Sequence, residues 1–215
     1  MSAGKGLHPF TIFTAIAVPI DIANCDTDQL IPARFLRIAE DDPQYPQLLL
    51  HDVRFNEDGT PKDFIYNQEP YCRARIVVGD INWGCGSSRE MAVTVLTANG
   101  VRAVIAPSFG DIHYSNCIKN GVLPVRLQPE TCSAVRRQLH ESPGAQITID
   151  LAAQTVLGPD QTVYSFDIDL FDKERLEKGL DDIGLTLSLE QEIAQFKTQY
   201  HARHRWVAQT RYPDA

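Results

Sequence analysis

Between Ala74 and Leu127 the chain alternates short apolar runs with segments of helix length, and this pattern limits its fold more than any other feature. Ala74 to Val78, Val101 to Ala106 and Leu123 to Leu127 read as strands. Between them, Ser88 to Asn99 reads as a helix ended by Gly100, with Ala92, Val95, Leu96 and Ala98 on its apolar face, and Phe109 to Asn120 as a helix stopped by Gly121. A strand that is apolar along its whole length is covered on both faces. Strands joined through helices run parallel, so the series predicts a parallel sheet with packed helices and right-handed crossovers.

The flanks add to this core. Thr11 to Ile20 reads as a buried strand, followed by the polar turn cluster Asn24-Cys25-Asp26-Thr27-Asp28 and Ile31-Pro32. From Asp41 to Pro70 turn residues dominate, with a hairpin-type signal at Asp58-Gly59, and short elements under surface loops are expected. Pro129 to His140 reads as a helix. Gln146 to Leu151, Gln154 to Leu157 and Thr162 to Phe166 alternate as strands and suggest a smaller antiparallel sheet. Ser188 and Gln191 have capping-box spacing for a helix through Tyr200, with Leu189, Ile193 and Phe196 on one face. The expected organisation is one α/β domain over residues 1–200 and a basic tail over 201–215, where His201, Arg203, His204, Arg205 and Arg211 suit a solvated helix end favoured by the macrodipole.

Charge and cysteine usage narrow the function. Lys and Arg total 20 against 28 Asp and Glu, a net charge of -8 that repels nucleic-acid backbones and anionic membranes. No run reaches the length of a membrane span and the N-terminus lacks a signal-peptide pattern, so a cytoplasmic protein is expected. The five cysteines are odd in number, scattered, and free of any Cys-x-x-Cys pair. They suit reduced thiols, and no metal site is expected from this chain.

The chemistry concentrates in Gly84-Cys85-Gly86-Ser87-Ser88-Arg89-Glu90, between a predicted strand and a predicted helix, where backbone N–H groups favour an anion. Arg89 stands where a dinucleotide loop needs its third glycine, and the phosphate-loop lysine is absent, so this is not a nucleotide loop. Ser87 and Glu90 also have capping-box spacing and could serve only to cap the helix. Two glycines that admit close backbone approach, paired hydroxyls and the two-pronged guanidinium of Arg89 suit a di- or tricarboxylate. The G-x-S-x-G elbow of a serine hydrolase is not spelled.

These residues resemble the small subunits of 3-isopropylmalate dehydratases, in the aconitase superfamily. The resemblance is nearly full length. It rests on Asn24 to Asp28 with Ile31-Pro32 and Arg34-Phe35-Leu36, on Gly84 to Glu90, on Ala103 to Phe109 with Asp111-Ile112, on Asn120 to Val125, and on Gly179-Leu180-Asp181 with Ile183 to Leu187. It implies a swivelling β/β/α three-layer domain that closes over a separate large subunit carrying a 4Fe–4S cluster, in a hydro-lyase of leucine biosynthesis. In that chemistry the cluster iron takes the substrate hydroxyl and a serine alkoxide removes the neighbouring proton. The resemblance assigns that serine to Ser87, substrate-carboxylate contacts to Ser88 and Arg89, a place near the site to Asp28, and side-group discrimination to Arg37. An Asx turn at Asp26 or Asp28 and an exposed helix end at Arg37 are the plainer alternatives. Met91 stands where the family usually has His, Ala92-Val93-Thr94 replaces Ala-Pro-Trp, and Cys25 replaces Val; Met91 and Cys25 read as packing. These departures keep open a paralogue for methylmalate, dimethylmalate or homoaconitate, and a non-catalytic anion-binding module of the same fold.

Overall fold

The computed structural model describes residues 7–204, 206 and 207. The apolar N-terminal run forms β1 (Ile12–Pro19), which runs parallel to β2 (Ile76–Val78); β2 is parallel to β3 (Ala103–Ala106), and β3 to β4 (Leu123–Arg126). On the other side of β1 lie β5 (Gln146–Asp150), β6 (Thr155–Leu157) and β7 (Val163–Ser165), all antiparallel to their neighbours. The strand order is β4-β3-β2-β1-β5-β6-β7. Both the parallel sheet and the smaller antiparallel one are present, and they share β1. Its first half, Ile12 to Ile16, pairs with β5, and Ala17 to Pro19 pair with β2.

Strand alternation divides the core. Val18, Val77, Val104 and Ala106 face one apolar cluster, while Ala17, Ile76, Val78, Ala103, Ile105 and Val125 face the other. The first face carries the short helices α1 (Thr27–Leu30) and α2 (His51–Arg54), three short 3-10 turns between Tyr45 and Arg73, and α3 (Met91–Ala98). Between α3 and the sheet edge sits α4 (Asp111–Lys119), which contributes Cys117 to the first cluster and Ile118 to the second. The second face is covered by α5 (Pro129–Glu141) through Cys132, Val135 and Leu139, and by α6 (Leu170–Lys178) through Leu176. Burying about thirty aliphatic side chains on two sides of one sheet is the main stabilising term, at roughly 1.5–3 kcal/mol each before entropy. The buried guanidinium of Arg136 clamps α5 to the chain just beyond β1 and β2, donating to Asp21, Asp80 and the Gly79 carbonyl at 2.7, 3.0 and 2.6 Å.

Three expectations change. The helix predicted from Ser88 begins at Met91, because the preceding residues are held by tertiary bonds: Thr27 Oγ1 donates to the Ser87 carbonyl, and Asn120 Nδ2 donates to Glu90 Oε1. Ala98, assigned to its apolar face, is exposed at the last turn. The capping box at Ser188 does not form either. Asp181 accepts from the Gly184 N–H and starts an additional helix, α7 (Asp182–Ser188), so Ser188 ends that helix and its hydroxyl donates to the Leu185 carbonyl. After Leu189 comes α8 (Glu190–Arg203). Of the basic tail, Arg205 and Arg211 lie outside the described residues.

Candidate functional site

Loops leaving the C-terminal ends of β1, β2 and β3 lie side by side, the usual ligand edge of a parallel sheet. Asp26 bridges Cys85, and Trp83 bridges Phe109. The Gly84 N–H donates to the Cys25 carbonyl at 2.7 Å, the Thr27 N–H to the Cys85 carbonyl at 2.9 Å, and the Gly110 N–H to the Trp83 carbonyl at 2.9 Å. Thr27 Oγ1 reaches the Ser87 carbonyl at 3.0 Å. Asp26 is committed to structure: its carboxylate accepts from the Gln29 N–H at 2.7 Å while Gln29 Oε1 accepts from the Asp26 N–H at 3.1 Å, a complete capping box on α1.

Gly84 lets the middle loop descend this far. Its φ is +70°, and a Cβ there would stand 2.2 Å from Cγ and Cδ2 of His113 on α4. His113 is buried beneath it, its two ring nitrogens have no hydrogen-bond partner among the described residues, and burial pushes its pKa down to about 4. The ring is therefore a neutral floor under the loop at physiological pH.

Above that floor Ser87 and Ser88 are exposed. Neither hydroxyl is engaged among the described residues, and Ser87 caps nothing, since Glu90 is the residue preceding α3 and its carboxylate is turned to Asn120. The backbone N–H groups of Ser87, Ser88 and Arg89 likewise take no partner among the described residues. Arg89 is mostly covered, with 17% of its side chain accessible, and its Nη1 donates to Asp28 Oδ1. That hydrogen bond holds the Asp28 carboxyl below the usual carboxylate range. One bond uses one of five guanidinium donors, so the fork is oriented by Asp28 and retains donors for a second carboxylate. Exposed serine hydroxyls, amides without a partner among the described residues and a largely covered guanidinium thus lie on one stretch of loop.

Known proteins match the chain over most of its length. The aconitase C-terminal domain family matches residues 7–130, and LeuD_N matches residues 134–169. The 3-isopropylmalate dehydratase small subunit of Roseobacter denitrificans is 42% identical over 202 residues, covering 94% of this chain and 100% of that protein. That of Leptospira interrogans is 44% identical over 204 residues, covering 94% and 98%. The chain belongs to the 3-isopropylmalate dehydratase small-subunit family. A crystal structure of 3-isopropylmalate dehydratase (leuD) from Methanocaldococcus jannaschii shares the fold at TM-score 0.59 and 24% identity, over 87% of this chain and 99% of that one.

Of the residues that the family resemblance singles out, the fold brings Asp28, Ser87, Ser88 and Arg89 onto one pair of loops. Arg37 is exposed in the turn after the 3-10 segment Ala33–Phe35, and among the described residues no hydrogen bond or ion pair joins it to that group. Met91 packs against the first core cluster and Cys25 is fully buried within it, as their packing roles require. Two features escaped the sequence. Thr27, 2% exposed, pins the serine loop; its place in the Thr-Asp pair was visible but its partner, 60 residues away, was not. A recess of about 670 Å³ beside Arg34, Phe35, His51, Asp52, Phe55 and Lys62 contains neither Ser87 nor Arg89. In it Arg34 pairs with Asp52, whose carboxyl is held down to about 2, and lies over the Phe35 ring at 4.4 Å.

Proposed function

We propose that this chain is the small subunit of a two-chain hydro-lyase interconverting 2- and 3-isopropylmalate in leucine biosynthesis, and that residues up to about 200 act as one domain closing over a large subunit. The observation that carries the reading is the unengaged Ser87 hydroxyl beside the oriented Arg89 fork. Ser87, as its alkoxide, takes the proton from the substrate carbon and becomes the neutral hydroxyl. An exposed serine is a poor base, so its oxygen must gain negative charge against nearby donors, a role assigned here to the unpartnered amides of Ser87 to Arg89 on closure. Arg89, with Ser88, receives a substrate carboxylate while Asp28 keeps the guanidinium plane in position. The exposure of Ser87, Ser88 and Asp28 follows if the opposite wall of the site belongs to the large subunit.

In this reading the 4Fe–4S cluster is carried by the large subunit, as the family resemblance implies; on this chain burial pushes the Cys25 thiol up to about 12 and that of Cys132 up to about 11, which disfavours the thiolate form that an iron ligand needs. When present, the cluster supplies Lewis-acid chemistry at the substrate hydroxyl.

Arg89→Lys is expected to lower kcat/KM of the reconstituted pair by roughly ten- to a hundredfold although charge is retained, because lysine has no planar fork and the charged hydrogen bonds at stake are worth about 1.5–3 kcal/mol. Equal kinetics would remove Arg89 from the site. The substrate class is tested by assaying the chain with its large subunit on a panel of alkyl malates and a tricarboxylate. Isopropylmalate should give the highest kcat/KM, and a pair inactive on the whole panel would sink the reading. Arg37 is assigned to the variable end of the substrate, so Arg37→Val should shift the alkyl-to-tricarboxylate ratio of kcat/KM toward the alkyl acid. A ratio that stays constant returns Arg37 to the surface.

A further inference from the structure

Thr27, the first residue of α1, turns both of its donors onto the serine loop. Its N–H, one of the amides that a helix start leaves without an internal acceptor, donates to the Cys85 carbonyl at 2.9 Å, and its Oγ1 donates to the Ser87 carbonyl at 3.0 Å. Between the two held carbonyls lies Gly86, at φ +95°, where a Cβ would stand 3.5 Å from Thr27 Oγ1, so the loop backbone rests directly on this side chain. Valine has the same branched shape, and packing alone therefore does not call for the hydroxyl. The next residue, Asp28, holds Arg89. Two adjacent residues of one helical turn thus fix residues 87 and 89 of the loop.

The direction of these bonds sets the direction of others. A trans peptide points its C=O and its N–H to opposite sides, and both peptide units are trans. With the Cys85 and Ser87 carbonyls turned to Thr27, the Gly86 and Ser88 N–H groups turn away from it. Thr27 is buried and residues 86–88 are exposed, so the two N–H groups lie toward the exposed face, where neither has a partner among the described residues. Paired backbone amides of this kind are how a loop holds negative charge. The hydrogen bond that the Ser87 carbonyl accepts also polarises its peptide and strengthens the Ser88 N–H as a donor.

We propose that Thr27 is a positioning residue for the base: its hydroxyl fixes the Ser87–Ser88 peptide so that the Ser88 N–H, together with that of Gly86, stabilises the alkoxide on Ser87 Oγ. The inference rests on Ser87 being the base. When the substrate C–H bond breaks, its electron pair remains with the substrate and the proton forms the new O–H bond of Ser87. The charge that the amides stabilise is present before that transfer, and donors to a charged form favour it, so they lower the pH at which the serine ionises. Without the Thr27 hydroxyl the peptide can rotate, the donors lose their aim, and ionisation needs a higher pH.

The test is steady-state kinetics of the chain assembled with its large subunit, with kcat taken per isolated complex so that a variant that folds poorly lowers the yield and not the value. Thr27→Val should lower kcat about tenfold or more at neutral pH with KM little changed, a part of the roughly hundredfold cost of losing an oxyanion donor outright. The deficit should shrink as pH rises, because the acid limb of kcat moves upward. Thr27→Ser keeps the donor and should recover most of the loss, and Thr27→Ala, which crowds nothing, should repeat the valine result. In a Ser87→Ala background Thr27→Val should have no further effect on the residual kcat, since it acts through the base. A Thr27 that only supports the fold would lower both backgrounds alike with the same deficit at every pH, and that outcome overturns the proposal. So does wild-type kcat in the valine or alanine variant, or a raised KM at constant kcat, which would give the amides to a substrate carboxylate. If Ser87→Ala lowers turnover and Thr27→Val does not, the role of Thr27 alone falls; if Ser87→Ala keeps wild-type turnover, the assignment of the base falls and this inference with it.

Discussion

Replacing Ser87 with alanine is expected to cut kcat of the assembled enzyme by about a hundredfold or more, the usual cost of losing a positioned base. Thermal stability should hardly move. A helix-capping serine would cost about 1 kcal/mol on truncation, but α3 starts at Met91 and the Ser87 side chain holds no backbone N–H. The residue's structural bond is made by its carbonyl, which alanine keeps. Turnover and melting temperature therefore separate the roles cleanly. A variant that melts early yet turns over normally per folded complex would return Ser87 to a structural position.

Gly84→Ala should have the largest effect on stability. Alanine at φ +70° costs roughly 1–2 kcal/mol, and a methyl group placed 2.2 Å from the His113 ring adds overpacking of about 1–3 kcal/mol in a buried position. Their sum, about 2–5 kcal/mol, is a large share of the stability of an ordinary domain and should be read as a lower denaturant midpoint at unchanged slope. Combining it with His113→Ala should recover the steric part and leave the conformational part. If the double variant is no better than additive, His113 is not what confines Gly84.

The central sheet was legible because doubly buried strands leave no polar alternation, and the runs at Ile76, Ala103 and Leu123 could hardly be anything else. Boundaries near the site were not. The Ser-x-x-Glu spacing at Ser87 promises a cap, yet Glu90 finds Asn120 and Thr27 finds the Ser87 carbonyl, bonds that exist only once three loops have come together. The Arg89–Asp28 pair spans 61 residues and left no local trace. By contrast, α6 was readable and was missed: Asp169 caps it and Gly179 closes it in the left-handed conformation. The Asp26…Gln29 capping box was equally plain. The paired serines and Arg89 were legible as a carboxylate site from the loop's own chemistry, Asp28 came from motif resemblance, and their mutual placement needed the fold.

The division of β1 between two sheets bears on synthesis of the chain. Its partners in sequence order are β2, some sixty residues later, and β5, more than a hundred and thirty residues from Phe13 at Ile149. At the roughly 5–20 residues per second of translation, the half from Ile12 to Ile16 waits on the order of ten seconds or longer before its partner strand exists. During that interval Ile12, Phe13 and Ile16 belong to an unpaired apolar edge, the kind of segment that chaperones shield and that aggregates when they are scarce. The parallel half can assemble first around Ala17 to Pro19, and the antiparallel strands then close the ladder from the other side. Expression yield should therefore respond to temperature and chaperone supply more than the stability of the finished fold would suggest.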